Sequence, residues 1–325
     1  MRWRRASLRP SGLALALAAV LLAAAGAPGA AAPRLQDVGP AFSPSGSLLA
    51  FARWTGGFGR VYVIRPDGSG LRAITPRQAQ PFGIAWAPDG SALAYSSAGD
   101  IWRADLATDH VRNLTRTPEY DFQAAWSPDG SRIAYTTFEG CFRCTSIRAI
   151  APDGTSATVL VPGFPNQNAF PWGNRRPSWS PDGSQFVSSS GEVRGREGGD
   201  PRNLPPGIYY VWGPRRLVAF ARGASLRVTD PSRGDDRLIM SRPGRLVGYP
   251  SWSRDGRMVA FGLSGGLAIA KLDGTWWRVA GADLYGEPAS WSPTGTLAFV
   301  ERGRCGIDVV DPLHRAQRRR LTRAC

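Results

Sequence analysis

Cys141-Phe-Arg-Cys144 is the one pair of soft nucleophiles close enough in this sequence to act together. Such a pair could run dithiol redox chemistry or supply half of a metal site. Redox chemistry draws on a helix N-terminus to hold its thiolate, whereas the residues flanking this pair read as a β-hairpin. No second Cys or His pair stands at ligand spacing. A structural disulfide is therefore the first reading, with redox and metal roles as alternatives. Proton transfer has few carriers: the only histidines are His110, in a polar turn, and His314, in a basic stretch, and both read as surface residues. No Gly-x-Ser-x-Gly elbow offers a serine nucleophile. Glu197 and Asp200 could serve as paired glycosidase carboxylates, but closeness within one loop is poor evidence of that geometry.

Binding chemistry is better represented. Aromatic and arginine side chains, the usual hot-spot residues of interfaces, gather in the longer segments between apolar runs. Segments 54–60, 140–145, 163–176 and 191–207, joined by 117–122, contain Trp54, Tyr120, Phe142, Arg143, Asn166, Asn168, Phe170, Trp172, Arg175, Arg176, Arg194, Arg196 and Arg202. Loops set on a rigid scaffold commonly carry recognition; the plainer reading is that these loops pack on one another.

The scaffold that must position them is built on a recurring phrase. Trp126-Ser-Pro-Asp-Gly130 returns complete at Trp179 and, with changes, at Phe42, Trp86, Trp252 and Trp291; a worn copy starts at Trp212. Ser, Pro, Asp and Gly stand in the order a type I turn favours, with proline pre-setting φ and glycine free to take φ > 0. The run that follows, such as Ile133-Ala-Tyr135, is apolar on both sides of the pleat and suits a strand buried on both faces. The key positions lie 44, 40, 53, 33, 40 and 39 residues apart. A period of roughly 40 residues with four short strands per unit is the signature of a β-propeller. The expected fold is all-β: one propeller over 33–325, seven-bladed, with four antiparallel strands per blade starting near 42, 86, 126, 179, 212, 252 and 291. A six-bladed ring with one swollen fourth blade is the alternative, because 191–207 interrupts the pattern. If strands alternate up and down, the long segments named above all fall on the face opposite the Trp-Ser-Pro-Asp-Gly turns.

With this phrase and the Ile/Leu-Ala-Phe/Tyr that follows it, the chain resembles the TolB-like β-propeller repeat family from about residue 38 to the end. The resemblance implies the fold and a place among periplasmic and secreted binding proteins. Similar units also form the non-catalytic propeller of some serine peptidases. No functional residue is implied, since the matching positions are turn and packing residues.

Residues 1–32 read as a secretory signal peptide: Arg2, Arg4, Arg5 and Arg9 precede an apolar stretch from Leu13 to Ala25 and a run of small residues. That stretch is short of the roughly 20 residues needed to span a bilayer. Arg4-Arg5-Ala-Ser-Leu8-Arg9 partly resembles a twin-arginine signal but lacks its usual Phe. In an exported chain the cysteines suggest two disulfides, and near pairing gives Cys141–Cys144 and Cys305–Cys325. The leader holds four of the 40 basic residues and none of the 25 acidic ones, so the remainder, with 36 basic residues, carries a formal charge of +11. The only lysine is Lys271. Codon preference and a solvated surface account for this charge most simply; anionic wall polymer or a lipid surface could also meet it.

The expected function is an exported, non-enzymatic, monomeric scaffold that binds another envelope or secreted protein through the loop-rich face. Anionic wall polymer is a further candidate. Nucleic acid is not expected, membrane contact is peripheral at most, and no cofactor or metal is implied. The alternative is an extracytoplasmic lyase or glycan hydrolase with its site at the channel mouth.

Overall fold

The computed structural model describes residues 35–139, 144–165, 176–188, 190–242, 247–263, 266–280, 288–301, 305–314 and 318–323. Each repeat forms one four-stranded antiparallel sheet in simple sequence order, and seven such sheets make the ring; blade one gains a short fifth strand, Gln78–Ala79. The seven first strands are Leu35–Phe42, Phe82–Trp86, Tyr120–Trp126, Ser178–Trp179, Ile208–Trp212, Val247–Trp252 and Ser290–Trp291. They touch one another in order around the axis, the last meeting the first, and so form the inner wall. Every blade closes within its own repeat.

The key aromatic ends the first strand of its blade; it does not start the blade, as the spacing suggested. From there the chain turns through Ser-Pro-Asp-Gly, as at Gly130, whose N–H donates to the Ser127 carbonyl at 2.9 Å with φ 71. The second strand then carries an apolar-Ala-aromatic triplet. Phe51, Tyr95, Tyr135, Phe220, Phe261 and Phe299 of these triplets are fully buried, as is Phe186 of blade four. Aromatics this large cannot be covered within a single sheet. The core accordingly lies between blades, with a separate hydrophobic cluster at each of the seven interfaces.

The key indoles lock neighbouring blades. Trp86 donates to the Ala41 carbonyl at 2.8 Å, Trp179 to Ala125 at 3.2 Å, Trp252 to Val211 at 3.1 Å and Trp291 to Ser251 at 3.1 Å. Each acceptor directly precedes the key aromatic of the blade before. The Nε1 groups of Trp126 and Trp212 are buried with no partner among the described residues. The turns interlock in the same sense: the glycine of one sits on the proline of the turn before. A Cβ on Gly183 would lie 3.3 Å from Pro128, and one on Gly46 only 2.7 Å from Pro293.

The seam between blades seven and one uses further contacts. The Phe42 N–H donates to Ser290 Oγ at 2.9 Å. Inside blade seven, Arg318 binds Glu301 at 2.7 Å and Asp308 at 2.8 Å, two acids only 2% and 3% exposed. Arg319 donates to the Pro66 and Asp67 carbonyls in blade one. Arg112 reaches the Asp153 carbonyl of blade three at 2.7 Å, and Arg72 the Leu106 carbonyl of blade two at 3.1 Å. Arginines on fourth strands thus hold the next blade's outer turn.

Two segments expected as long loops are strand. In blade one the second strand runs Leu49–Thr55 and the third Phe58–Ile64, so Trp54 lies in a tight hairpin paired with Gly59. Segment 191–207 supplies the third and fourth strands of blade four, Glu192–Gly195 and Arg202–Asn203. That completes blade four and makes Trp212 the hinge of a separate fifth blade.

The lock predicts a difference between two otherwise similar substitutions. Trp252→Phe leaves the Val211 carbonyl without its donor and is expected to cost about 1–3 kcal/mol, while Trp212→Phe removes no hydrogen bond and costs less. Urea unfolding of both variants against the parent measures the difference.

Candidate functional site

First strands in five blades carry a β-bulge near their mid-point, seen as register shifts between Val38 and Ala41, Phe82 and Ala85, Phe122 and Ala125, Ile208 and Val211, and Gly248 and Ser251. The residue three before the key aromatic takes a left-handed backbone there: Gly39 (φ 60), Gly83 (φ 63), Gln123 (φ 61) and Tyr209 (φ 60). A bulge leaves one residue out of the ladder and re-aims its side chain. Because first strands line the axis, these positions form the channel wall at the mouth where blade-to-blade connections enter. Arg176 holds the same place before Trp179. Its Nη2 donates to the Ile84 carbonyl at 3.1 Å, so the guanidinium reaches from blade four to blade two. A Cβ on Gly83 would lie 3.6 Å from Gln123 Cα and 3.8 Å from Arg176 Nη2. The Gln123 Oε1 atom is buried without a partner among the described residues.

Of the residues singled out from sequence that are among the described residues, Arg176 alone is placed in the channel. Trp54 donates its indole N–H to the Pro81 carbonyl at 2.8 Å, and Tyr120 packs with Phe122 and Phe138, with ring centroids 6.0 and 6.5 Å away. Both are half-buried packing residues near the mouth. Arg194, Arg196 and Arg202, expected in a loop on this face, lie along the third and fourth strands of blade four and the turn between them. Arg194 binds Glu192 at 2.7 Å, Arg196 binds Asp129 of blade three at 2.8 Å, and Arg202 is exposed on the fourth strand. Phe142, Arg143, Asn166, Asn168, Phe170, Trp172 and Arg175 lie outside the described residues, as do Cys141, Cys325 and the side chain of Cys144. No free cysteine occurs among the described residues. Gln123 and Tyr209 were missed, although comparing the repeats at the position where others carry glycine would have exposed both.

The titratable groups are already engaged. Asp37 is fully buried against Arg53, Nε to Oδ1 at 2.6 Å. Asp121 is fully buried and accepts from Thr137 at 2.6 Å and Thr117 at 3.0 Å; burial pushes its carboxyl up. His110 and His314 sit in third-to-fourth turns on the opposite face, His314 bonded to Asp311 at 2.9 Å. Glu197, one of the candidate glycosidase carboxylates, also lies on that face and pairs with Arg132 at 2.9 Å. Among the described residues no group of three or more His, Cys, Asp or Glu side chains could hold a metal ion.

This ring of seven four-stranded blades, with locking Trp-Ser-Pro-Asp-Gly turns and bulged first strands around the axis, is a seven-bladed β-propeller. The family model of the TolB β-propeller domain matches residues 30–197, more than half of the sequence, and the chain belongs to that family. Among solved structures it is similar to an oligogalacturonate lyase in complex with manganese, at 17% identity and TM-score 0.67 over 85% of this chain and 89% of that one. It is also similar to the β-propeller domain of Cps50 (Swd1) from Myceliophteria thermophila, at 16% identity and TM-score 0.65 over 85% and 97%. TolB from Acinetobacter baumannii matches at 17% identity and TM-score 0.51 over 93% of this chain and 66% of that one. These likenesses concern the fold alone. A search of curated proteins found no match.

The turn aspartates on the opposite face give a pH dependence. Hydrogen bonds from the Ser180 and Ser184 hydroxyls, the Ser184 N–H and the nearby Arg216 lower the Asp182 carboxyl from its ordinary 3.8 to about 2. Because the folded-state value is the lower one, this group stabilises the fold above about pH 4, and its contribution fades as the pH falls towards 2. Thermal midpoints measured from pH 5 to pH 2 are therefore expected to fall less steeply for Asp182→Asn than for the parent.

Proposed function

We propose that the protein is an exported scaffold that holds another envelope or secreted protein at the channel mouth containing Arg176, and that it acts without catalysis. The observation that carries this reading is the division of labour between the two faces. The turn face is occupied by its own locks and ion pairs, whereas the mouth presents Gln123, Arg176 and Tyr209, groups suited to hydrogen bonding and packing. The engagement of Asp37 and Asp121, and the placing of both histidines on the far face, weigh against a lyase or hydrolase at the mouth. Residues 1–32 act as the export signal in this proposal, and Cys141–Cys144 and Cys305–Cys325 are the disulfides formed after export. The protein works as a monomer.

Gly57 and Gly199 allow a direct test. Both are exposed, a side chain at either meets nothing within 4 Å, and they lie on opposite faces, in blade one's second-to-third turn and blade four's third-to-fourth turn. A photo-crosslinking residue at Gly57 is expected to capture one protein from an envelope extract, and the same residue at Gly199 none. Equal capture at both positions, or capture at Gly199 alone, would refute the assignment of the face.

A further inference from the structure

Large apolar side chains are exposed at scattered points of the ring, and in one place two of them share a row. Leu35 and Phe58, 38% and 51% exposed, lie on blade one at its mouth end, and Phe58 is the sole aromatic among the exposed large apolar residues described. The ladder sets them in register: Leu35 pairs with Thr55, Thr55 with Phe58 and Phe58 with Ala79. Directly opposed residues share a face of the sheet. The row therefore runs unbroken across four strands, about 14 Å at the usual strand spacing. Thr55 stands four residues beyond Phe51, which packs against blade seven, so the row turns to that same side. The ladder of blade seven stops short of it. Blade one continues four rows past Phe51–Tyr62, to Thr55–Phe58, whereas blade seven continues one row past Phe299–Asp308, to Val300–Ile307.

The charge beside this row has one sign. Arg77 stacks on the Phe58 ring, 5.1 Å from its centroid, and Arg60 is exposed in the same hairpin. Neither pairs with an acid among the described residues. From 35 to 80 the sequence holds two acids only, Asp37 and Asp67. Asp37 is buried on Arg53, and Asp67 lies in the third-to-fourth turn on the opposite face. At the hairpin tip a Cβ on Gly56 or Gly57 would meet nothing within 4 Å, so an incoming chain can approach the backbone. Contiguous exposed apolar surface marks an interaction site, and unpaired charge at its edge selects the sign of what docks. Resting on the reading of this face as the binding face, we propose that the tip of blade one is the docking point, and that it takes a partner-protein segment presenting an apolar side chain flanked by aspartate or glutamate. The apolar side chain covers Leu35 and Phe58 and excludes water from them. The flanking carboxylates accept from Arg60 and Arg77, whose planar fork can keep its stack on the ring while donating at its edge.

Fluorescence anisotropy on the purified protein tests this, with a labelled peptide of two phenylalanines flanked by aspartates and its lysine-for-aspartate counterpart as probes. Co-sedimentation with anionic phospholipid vesicles runs alongside. The aspartate peptide is expected to bind, more weakly as salt rises, and the lysine peptide and the vesicles are not. Phe58→Ser is expected to weaken binding about tenfold or more. Arg77→Glu is expected to weaken it similarly and to flatten its salt dependence. Because Phe58 is half exposed, Phe58→Ser is expected to leave the thermal midpoint unchanged, whereas a residue kept for packing would lower it. No binding of the aspartate peptide, equal binding of both peptides, unchanged binding by Phe58→Ser, sedimentation with the vesicles, or self-association that Phe58→Ser abolishes would each overturn the proposal. Should the crosslinking residue at Gly57 capture one protein and Phe58→Ser leave that capture intact, this inference falls and the scaffold reading stands.

Discussion

A four-stranded blade is one sheet thick and exposes both of its faces, so nothing in this fold is stable until each blade is pressed against the next. The contact that sets the pressing distance is the key indole at the end of the first strand. Its ring fills the gap between blades while its N–H takes the backbone carbonyl beside the preceding key aromatic. Four residues on, the turn glycine settles on the proline of the turn before. One five-residue phrase therefore makes the hairpin corner, fixes blade spacing and registers one turn against another, which is why it tolerates so little change along the chain. Where it does change, the structure shows the substitute. Blade five has Arg216 in place of glycine, left-handed at φ 61 and bonded to Asp182 at 2.6 Å. Blade six has Arg254 in place of proline, and its guanidinium crosses to the Pro44 carbonyl at 3.1 Å while nothing lies within 4 Å of a Cβ on Gly295. Blade one has Phe42, which lacks an indole donor; its backbone N–H bonds the Ser290 hydroxyl, as the Trp212 N–H bonds the Ser178 hydroxyl in blade five.

The ring was legible because this phrase repeats and because the apolar-Ala-aromatic strand after it has no polar face. Seven blades followed once Trp212 was accepted as a worn copy. The reading failed where composition stood in for pairing. Segments 54–60 and 191–207 are rich in glycine and charge, the usual marks of a loop, yet Trp54 and Gly59 are partners in a ladder, and Glu192 and Arg194 bond along one strand while Asp129 awaits Arg196 across a blade interface. Charges that neutralise each other across repeats 67 residues apart look, in one dimension, like solvent-exposed charges. The channel residues were hidden for another reason. Nothing in Gln123 or Tyr209 is a motif; their significance lies in standing where the backbone would rather have glycine, and that is visible only when blades are superposed.

The arginine excess takes on a different meaning in three dimensions. Arg319 spans two carbonyls of the next blade's outer turn, Arg318 spans two buried carboxylates, and Arg53 meets both oxygens of Asp37 at 2.6 and 2.9 Å. Each of these needs a planar fork with several donors, which a lysine ammonium does not provide. The near-absence of lysine is thus intelligible as geometry, at a seam for Arg319 and inside single blades for Arg318 and Arg53, whatever else favours arginine in the rest of the chain. It follows that the formal charge of +11 is weak evidence for a polyanionic partner, because many of the guanidiniums that make it up are fastened to backbone oxygens or carboxylates of a neighbouring blade. Arg176 differs from these in its position. It also crosses between blades, but it does so at the axis, from blade four to the Ile84 carbonyl of blade two, past an intervening blade. At the seams an arginine joins two adjacent blades, whereas here it ties two that are not neighbours.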